Sequence, residues 1–142
     1  MCVFCDVVSG RAPAHVVHQD DVCVAFLDSR PLFPGHLLLV PARHYETITD
    51  LPPDLVGPLF ACARMLAGAV ERALGAHGTF VAMNNRVSQS VPHFHVHVVP
   101  RKRKDGLRGF FWPRTRYEDD GAAARVAAAI RRAVEENDGR SE

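Results

Sequence analysis

The sequence is short of net charge, of long apolar runs and of cysteine, and each shortage excludes something. Lys and Arg total 17 against 16 Asp and Glu, a formal charge of +1 across 142 residues. A general nucleic-acid binder is usually strongly basic, so nucleic acid is not an expected partner. No uninterrupted apolar run reaches the ~18 residues that suggest a membrane span, so no membrane is expected either. The opening Met1-Cys2-Val3-Phe4-Cys5-Asp6 has no basic segment and no cleavage motif, which sets aside a secretory signal and makes the cytoplasm the default. There is no internal repeat and no linker long enough to divide domains. One domain over residues 1–142 is the simplest reading, with a core at 2–101, a basic and aromatic extension at 102–118 and a terminal helix at 120–136.

Only four cysteines are present. Cys23 and Cys62 lie inside apolar segments and read as small buried hydrophobes. Cys2 and Cys5 form a C-x-x-C, which in a reducing compartment favours metal or redox chemistry over a structural disulfide.

Periodicity gives the architecture. Val3 to Val8 suits a short helical turn. Ala14–His18 and Val22–Asp28 read as strands of a hairpin around Asp20-Asp21, with Val24, Phe26 and Asp28 on one face. The run from His36 to Pro41 is nearly all apolar, as in a strand buried on both faces. Leu59, Ala63, Leu66, Ala67, Val70 and Leu74 recur with helical spacing. Pro52 and Pro53 suit that helix's start, whereas Pro58 predicts either a kink or a start only there. Thr79–Met83 is a further strand, and Pro92 and Pro100 bracket one that carries histidines. Ala122 to Val134 should be helical, capped by Asp119 or Asp120, with fraying from Asp138. The sum is an α+β fold: a mostly antiparallel sheet of about five strands, one long helix and shorter ones.

The histidine strand reads His93-Phe94-His95-Val96-His97-Val98-Val99. Alternation places three imidazoles on one face and Phe94, Val96 and Val98 on the other, where they can anchor the strand. A solvated face decorated with imidazoles is the bland reading. Ligation of a catalytic metal is the second, although one straight strand rarely wraps three ligands around one ion. Nucleophilic catalysis is the third, because neutral imidazole attacks phosphorus and the resulting P–N bond is labile to water.

His93 to Val99 resembles the signature of the histidine-triad (HIT) superfamily of nucleotidyl hydrolases and transferases. "CVFCDVVSGRAPA", "VAFLDSRPLFPGHLLLVPARH", "MNN" and "QSVPHFHVHVVPR" resemble further family blocks in order, over roughly residues 2 to 101. The resemblance implies the HIT fold, usually a homodimer whose sheets join across a two-fold axis. It implies His95 as the nucleophile at the α-phosphate, His97 on the phosphoryl oxygens, and Gln89 and Ser90 as phosphate and leaving-group contacts. It further implies Asn84 at the phosphate and Asp28 on the ribose hydroxyls. Val3, Phe4, Val7, Phe26 and Ser29 would surround the base of a purine nucleotide, adenine foremost; packing alone would also explain Val3, Val7 and Phe26. The expected activity is hydrolysis or nucleotidyl transfer on a phosphoramidate, phosphoester or dinucleoside polyphosphate. A regulator that binds nucleotide with little turnover, and a metal-dependent hydrolase, are the alternatives.

By the same resemblance, Cys2, Cys5, His44 and His93 form a structural zinc site of four protein ligands. A polyphosphate substrate would bring Mg²⁺ with it. The chain departs from the family after Asn84, where Asn85-Arg86-Val87-Ser88 is short and lacks glycine. Arg86 is the candidate charged replacement for the missing backbone contacts to phosphate. The basic run Arg101 to Lys104 reads as a solvated loop or a polyphosphate contact. Phe110, Phe111 and Trp112 suit packing against a dimer partner.

Overall fold

The computed structural model describes residues 2–107 and 114–140, with side chains as far as 136. The expectations for Phe110, Phe111 and Trp112 lie outside the described residues. The chain divides into two compact units, one ending at Asp105 and the other starting at Gly106.

In the first unit, α1 (Val3–Val8) precedes the strands β1 (Val16–Gln19), β2 (Cys23–Leu27) and β3 (Leu37–Pro41). A 3-10 turn at Ile48–Asp50 leads into α2 (Pro53–Leu74), followed by β4 (Gly78–Ala82) and β5 (Val96–Arg101). The sheet has five strands in the order β1-β2-β3-β5-β4, every neighbouring pair antiparallel. The expected hairpin is present. Asp20 closes it by accepting the Val22 and Cys23 amide protons on Oδ1, at 2.8 and 2.9 Å, an Asx turn in which the side chain mimics a backbone acceptor.

Both sheet faces are covered. Ala25, Leu39, Phe94, Val96 and Val98 pack under α2 with Leu59, Ala63, Leu66 and Val70. Val24, Phe26, Leu38 and Val40 pack with Phe4 of α1. This is why every residue of β3 is buried, as its apolar run predicts. At 22 residues α2 matches a membrane span in length, yet the sheet takes up its apolar stripe, which makes it the core helix.

Two expectations are corrected. First, of the two outcomes expected for Pro58, a helix start there is overturned: α2 starts at Pro53, as Pro52 and Pro53 suggest, and contains Pro58. Pro58 lacks the N–H that Asp54 would accept from, but Asp54 is exposed in the first turn, where water replaces the lost bond. Second, β5 begins only at Val96, so His93 and His95 precede the strand. Its pairing with β3 extends no further than Leu39↔Val96. The Phe94 amide instead donates to the Tyr45 carbonyl at 2.6 Å, and that of His93 to Val91 at 2.8 Å. Pro100 lies within β5 rather than bounding it, tolerated because β3 pairs only as far as Val98. The in-and-out alternation survives all the same. Phe94 is fully buried under α2. Phe94→Ala should therefore cost about 3–5 kcal/mol in urea unfolding through loss of a core ring and the cavity left behind.

In the second unit, α3 (Asp120–Arg140) is capped by Asp119, whose Oδ1 accepts the Ala122 amide proton at 2.7 Å. It runs past Asp138, where fraying was expected. No proline interrupts it, and its two glycines, Gly121 and Gly139, each cost only about 1 kcal/mol relative to alanine.

Candidate active site and metal centre

The short helix α1 puts Cys2 and Cys5 one turn apart, so both sulfurs face the same way. His44, in the segment after β3, and His93, just before β5, close on them. Cys2 Sγ lies 3.3 Å from His93 Nδ1, and Cys5 Sγ lies 3.3 Å from His44 Nδ1 and 3.5 Å from His93 Nδ1. The two Nδ1 atoms are 3.1 Å apart. Zn–N bonds of ~2.0–2.1 Å and Zn–S bonds of ~2.3 Å give a tetrahedron with edges of ~3.3–3.8 Å. Two thiols and two imidazoles at these separations fit zinc.

His93 is prepared for ligation. It is fully buried, and its Nε2–H donates toward the Pro41 carbonyl at 3.4 Å, which turns the Nδ1 lone pair to the cluster. Burial, then the neighbouring His44, lowers its pKa to about 4, so the ring is neutral, the form a metal binds. Burial and the adjacent Cys2 push the Cys5 thiol up.

Next to this cluster is a cavity of about 710 Å³, within the usual range for a small-molecule site. Its wall includes Val3, Phe4, Val7, Phe26, Asp28, Ser29, Ser90, His95 and His97, nine of the sequence-predicted residues. His15 and Leu38 also line it, and neither was anticipated.

The histidines of the wall are locked by their hydrogen bonds. His95 is 3% exposed, and its Nδ1–H donates to the His93 carbonyl at 2.8 Å. A carbonyl only accepts, so the lone pair of His95 is on Nε2. The His95 ring meets Phe4 edge-on, with centroids 5.1 Å apart, which fixes its plane.

His97 is oriented through a residue that the sequence places only at a strand's start. The Leu32 amide donates to His36 Nδ1 at 3.0 Å, so His36 carries its proton on Nε2. That Nε2–H donates to His97 Nδ1 at 2.9 Å, which leaves His97 with its own N–H on Nε2. Asp28 Oδ2 stands 3.7 Å from His36 Nε2, while its Oδ1 accepts the Arg30 amide proton at 2.9 Å. His36 is 3% exposed. Its signal in the sequence is a histidine opening an otherwise apolar run.

Gln89, Arg86 and Asn84 are not on the cavity wall. Gln89 is committed elsewhere: its amide donates to the Glu46 carbonyl at 2.6 Å and its Oε1 accepts the Arg86 amide proton at 2.8 Å. Asn84 is exposed; its neighbour Asn85 instead ties the loop to the Ile48 amide at 2.8 Å. The loop lacks glycine, yet it uses the backbone region that glycine favours. Arg86 and Ser88 both adopt left-handed geometry, at φ 70° and 61°, each at a cost of order 1–2 kcal/mol.

Burial first, then His95 and His36, lowers the His97 pKa to about 4 against an ordinary 6.5. Below about pH 6.5 the unfolded chain gains a proton here that the folded chain does not. Stability present at neutral pH should therefore decline as pH falls toward about 4 and level off below it. After allowance for partial exposure the loss should be about 1–2 kcal/mol. Urea midpoints across this range should show a shallower pH dependence in His97→Gln, and identical slopes would contradict the assignment.

A HIT domain family model matches residues 9–104. Over 108 residues the chain is 34% identical to the adenylylsulfatase HINT3 of Arabidopsis thaliana, covering 75% of this chain and 55% of that protein. The match thus spans about half the length of that relative. Among solved structures, a zinc-bound histidine triad family protein from Mycobacterium smegmatis gives a TM-score of 0.72 at 36% identity, over 90% of this chain and 96% of that one. A HIT family member from Bacillus subtilis gives 0.83 at 28% identity, over 92% and 95%. With the family model matched over most of its length and the same sheet architecture in solved members, the chain belongs to the HIT-domain family.

Proposed function

We propose that this protein is a nucleotide hydrolase acting at the α-phosphorus, through a nucleotide held covalently on His95. The observation that carries this reading is the fixed His95 tautomer: Nδ1–H is spent on the His93 carbonyl, and the Nε2 lone pair belongs to a ring lining a nucleotide-sized cavity. The adenylylsulfatase activity named for the Arabidopsis relative supports the substrate class and favours adenine.

In this reading Nε2 of His95 attacks in line, forming an N–P bond as the bond to the leaving group breaks. His97 Nε2–H, held outward by His36, hydrogen-bonds the phosphoryl oxygen where charge develops. Asp28 accepts from the ribose hydroxyls, with Val3, Phe4, Val7 and Phe26 against the base and Ser29 at the rim. Ser90 contacts the leaving group, while Gln89 acts by holding its loop. Water then attacks phosphorus, the N–P bond breaks, and nucleoside monophosphate departs with His95 regenerated. Zinc on Cys2, Cys5, His44 and His93 would supply structural cross-linking, its four protein ligands leaving no position for substrate.

The single HIT domain acts as a homodimer. The edge strand β4, with its apolar Val81 42% exposed, supports pairing across a two-fold axis. The four thiols, none in a disulfide, suit the cytoplasm.

The test is to offer adenosine phosphoramidate, adenosine phosphosulfate and diadenosine tetraphosphate to the purified protein. AMP should appear from at least one, and acid-quenched samples should carry an adenylyl group on the peptide containing His95. Tight binding with no AMP from any of the three would instead mark a nucleotide-binding regulator.

A further inference from the structure

A second group of metal-binding side chains lies on the opposite face of the sheet from the first, and the proposed hydrolysis makes no use of it. His18 comes from β1, Asp20 from the hairpin turn, Cys23 from the start of β2 and Cys62 from α2. One potential ligand atom from each lies within 4.8 Å of all the others. Cys23 and Cys62 pack with the core beneath α2, whereas Cys2 packs with the core beneath α1.

We propose that His18, Asp20, Cys23 and Cys62 form a second zinc site. The donor set is the first argument. Two sulfurs, one imidazole and one carboxylate are all ligands that zinc accepts, in the number it takes at a closed tetrahedral site. Orientation is the second. Asp20 Oδ1 is engaged by the Val22 and Cys23 amides, which fixes the carboxylate and leaves Oδ2 directed into the group. Oδ2 stands 2.8 Å from His18 Nε2 and 4.0 Å from Cys62 Sγ, and the two sulfurs are 2.8 Å apart. Zinc-bound thiolates at ~2.3 Å from the ion stand ~3.8 Å apart, so loading separates this sulfur pair by about 1 Å. A disulfide between Cys23 and Cys62 would use the sulfurs alone and give no part to His18 or Asp20. A metal uses all four.

The site would be structural, fastening the β1–β2 turn to α2. Four protein ligands leave zinc no open position for substrate. Its binding would strengthen as pH rises, since the thiols must release their protons to the solvent on ligation.

Elemental analysis decides it. Protein stripped with chelator, reloaded with zinc under reducing conditions and desalted should hold two equivalents per chain. Asp20→Asn keeps the Oδ1 acceptor that closes the turn and replaces only the ligating oxygen, so it should fold as the parent does and hold one equivalent. Cys62→Ala, half-buried at the helix surface, should also hold one, and Cys5→Ala/Cys62→Ala none. Cobalt loading should give two equivalents with thiolate charge-transfer absorption, reduced by about half in Asp20→Asn. A single equivalent that survives both Asp20→Asn and Cys62→Ala would overturn the proposal, as would a Cys23–Cys62 disulfide in protein holding one zinc. A single equivalent lost in Asp20→Asn would uphold it and count against the Cys2–Cys5 site instead.

Discussion

Replacing His95 by alanine should lower kcat by roughly 10⁴–10⁶-fold, the scale seen when a covalent nucleophile is removed. Nucleotide affinity should change by no more than about threefold, because the base and ribose contacts are made by other residues. The split between kcat and binding is what identifies a nucleophile, since a residue that merely shaped the pocket would move both. His95→Gln keeps more of the side-chain volume against Phe4, whose ring meets His95 at 5.1 Å, and should be as inactive. The adenylyl adduct should vanish in both variants. Turnover within about tenfold of the parent in either would remove His95 from the covalent step.

Loss of the first metal site should lower stability as much as removing a core ring. Cys5→Ala should lower zinc content by one equivalent and reduce the melting temperature by about 10–20 °C. Structural zinc contributes ~10–16 kcal/mol to small zinc-dependent peptides. Here a formed core carries part of the fold already, so a loss of about 3–5 kcal/mol is expected, at ~3–4 °C per kcal/mol for a domain of this size. Chelation of the parent should reproduce the change, and melting unaffected by chelation would argue against a structural ion. Activity should fall as well. His93 faces the metal cluster with its ring and holds the His95 Nδ1–H with its backbone carbonyl. Releasing His93 loosens the bond that sets the His95 tautomer.

The parts of this molecule readable from sequence are those determined locally. The apolar run of β3 required burial on both faces, and Phe94, Val96 and Val98 required a core on one side of the histidines. The cluster of Cys2, Cys5, His44 and His93 became legible through the ordered family blocks. Distant partners decided the rest. β5 could not include His93 or His95 because β3 pairs no further than Leu39, a fact held in another strand. His36 gained its role from His97, 61 residues away. Cys62 looked like a core residue until folding placed it beside Cys23 and the Asp20 turn, 39 and 42 residues distant. Pro58 did not force a helix start because the carbonyl it leaves without a donor, that of Asp54, lies in the exposed first turn.

The loop from Asn84 to Ser88 shows where a cost is borne. A glycine-rich loop samples many shapes and pays for ordering when a ligand arrives. Arg86 and Ser88 hold left-handed angles without glycine, and Gln89 and Asn85 brace them through Arg86 and Ile48. The ordering cost is therefore met once, during folding. The reverse of that economy is intolerance: a loop set beforehand has little capacity to take up another shape.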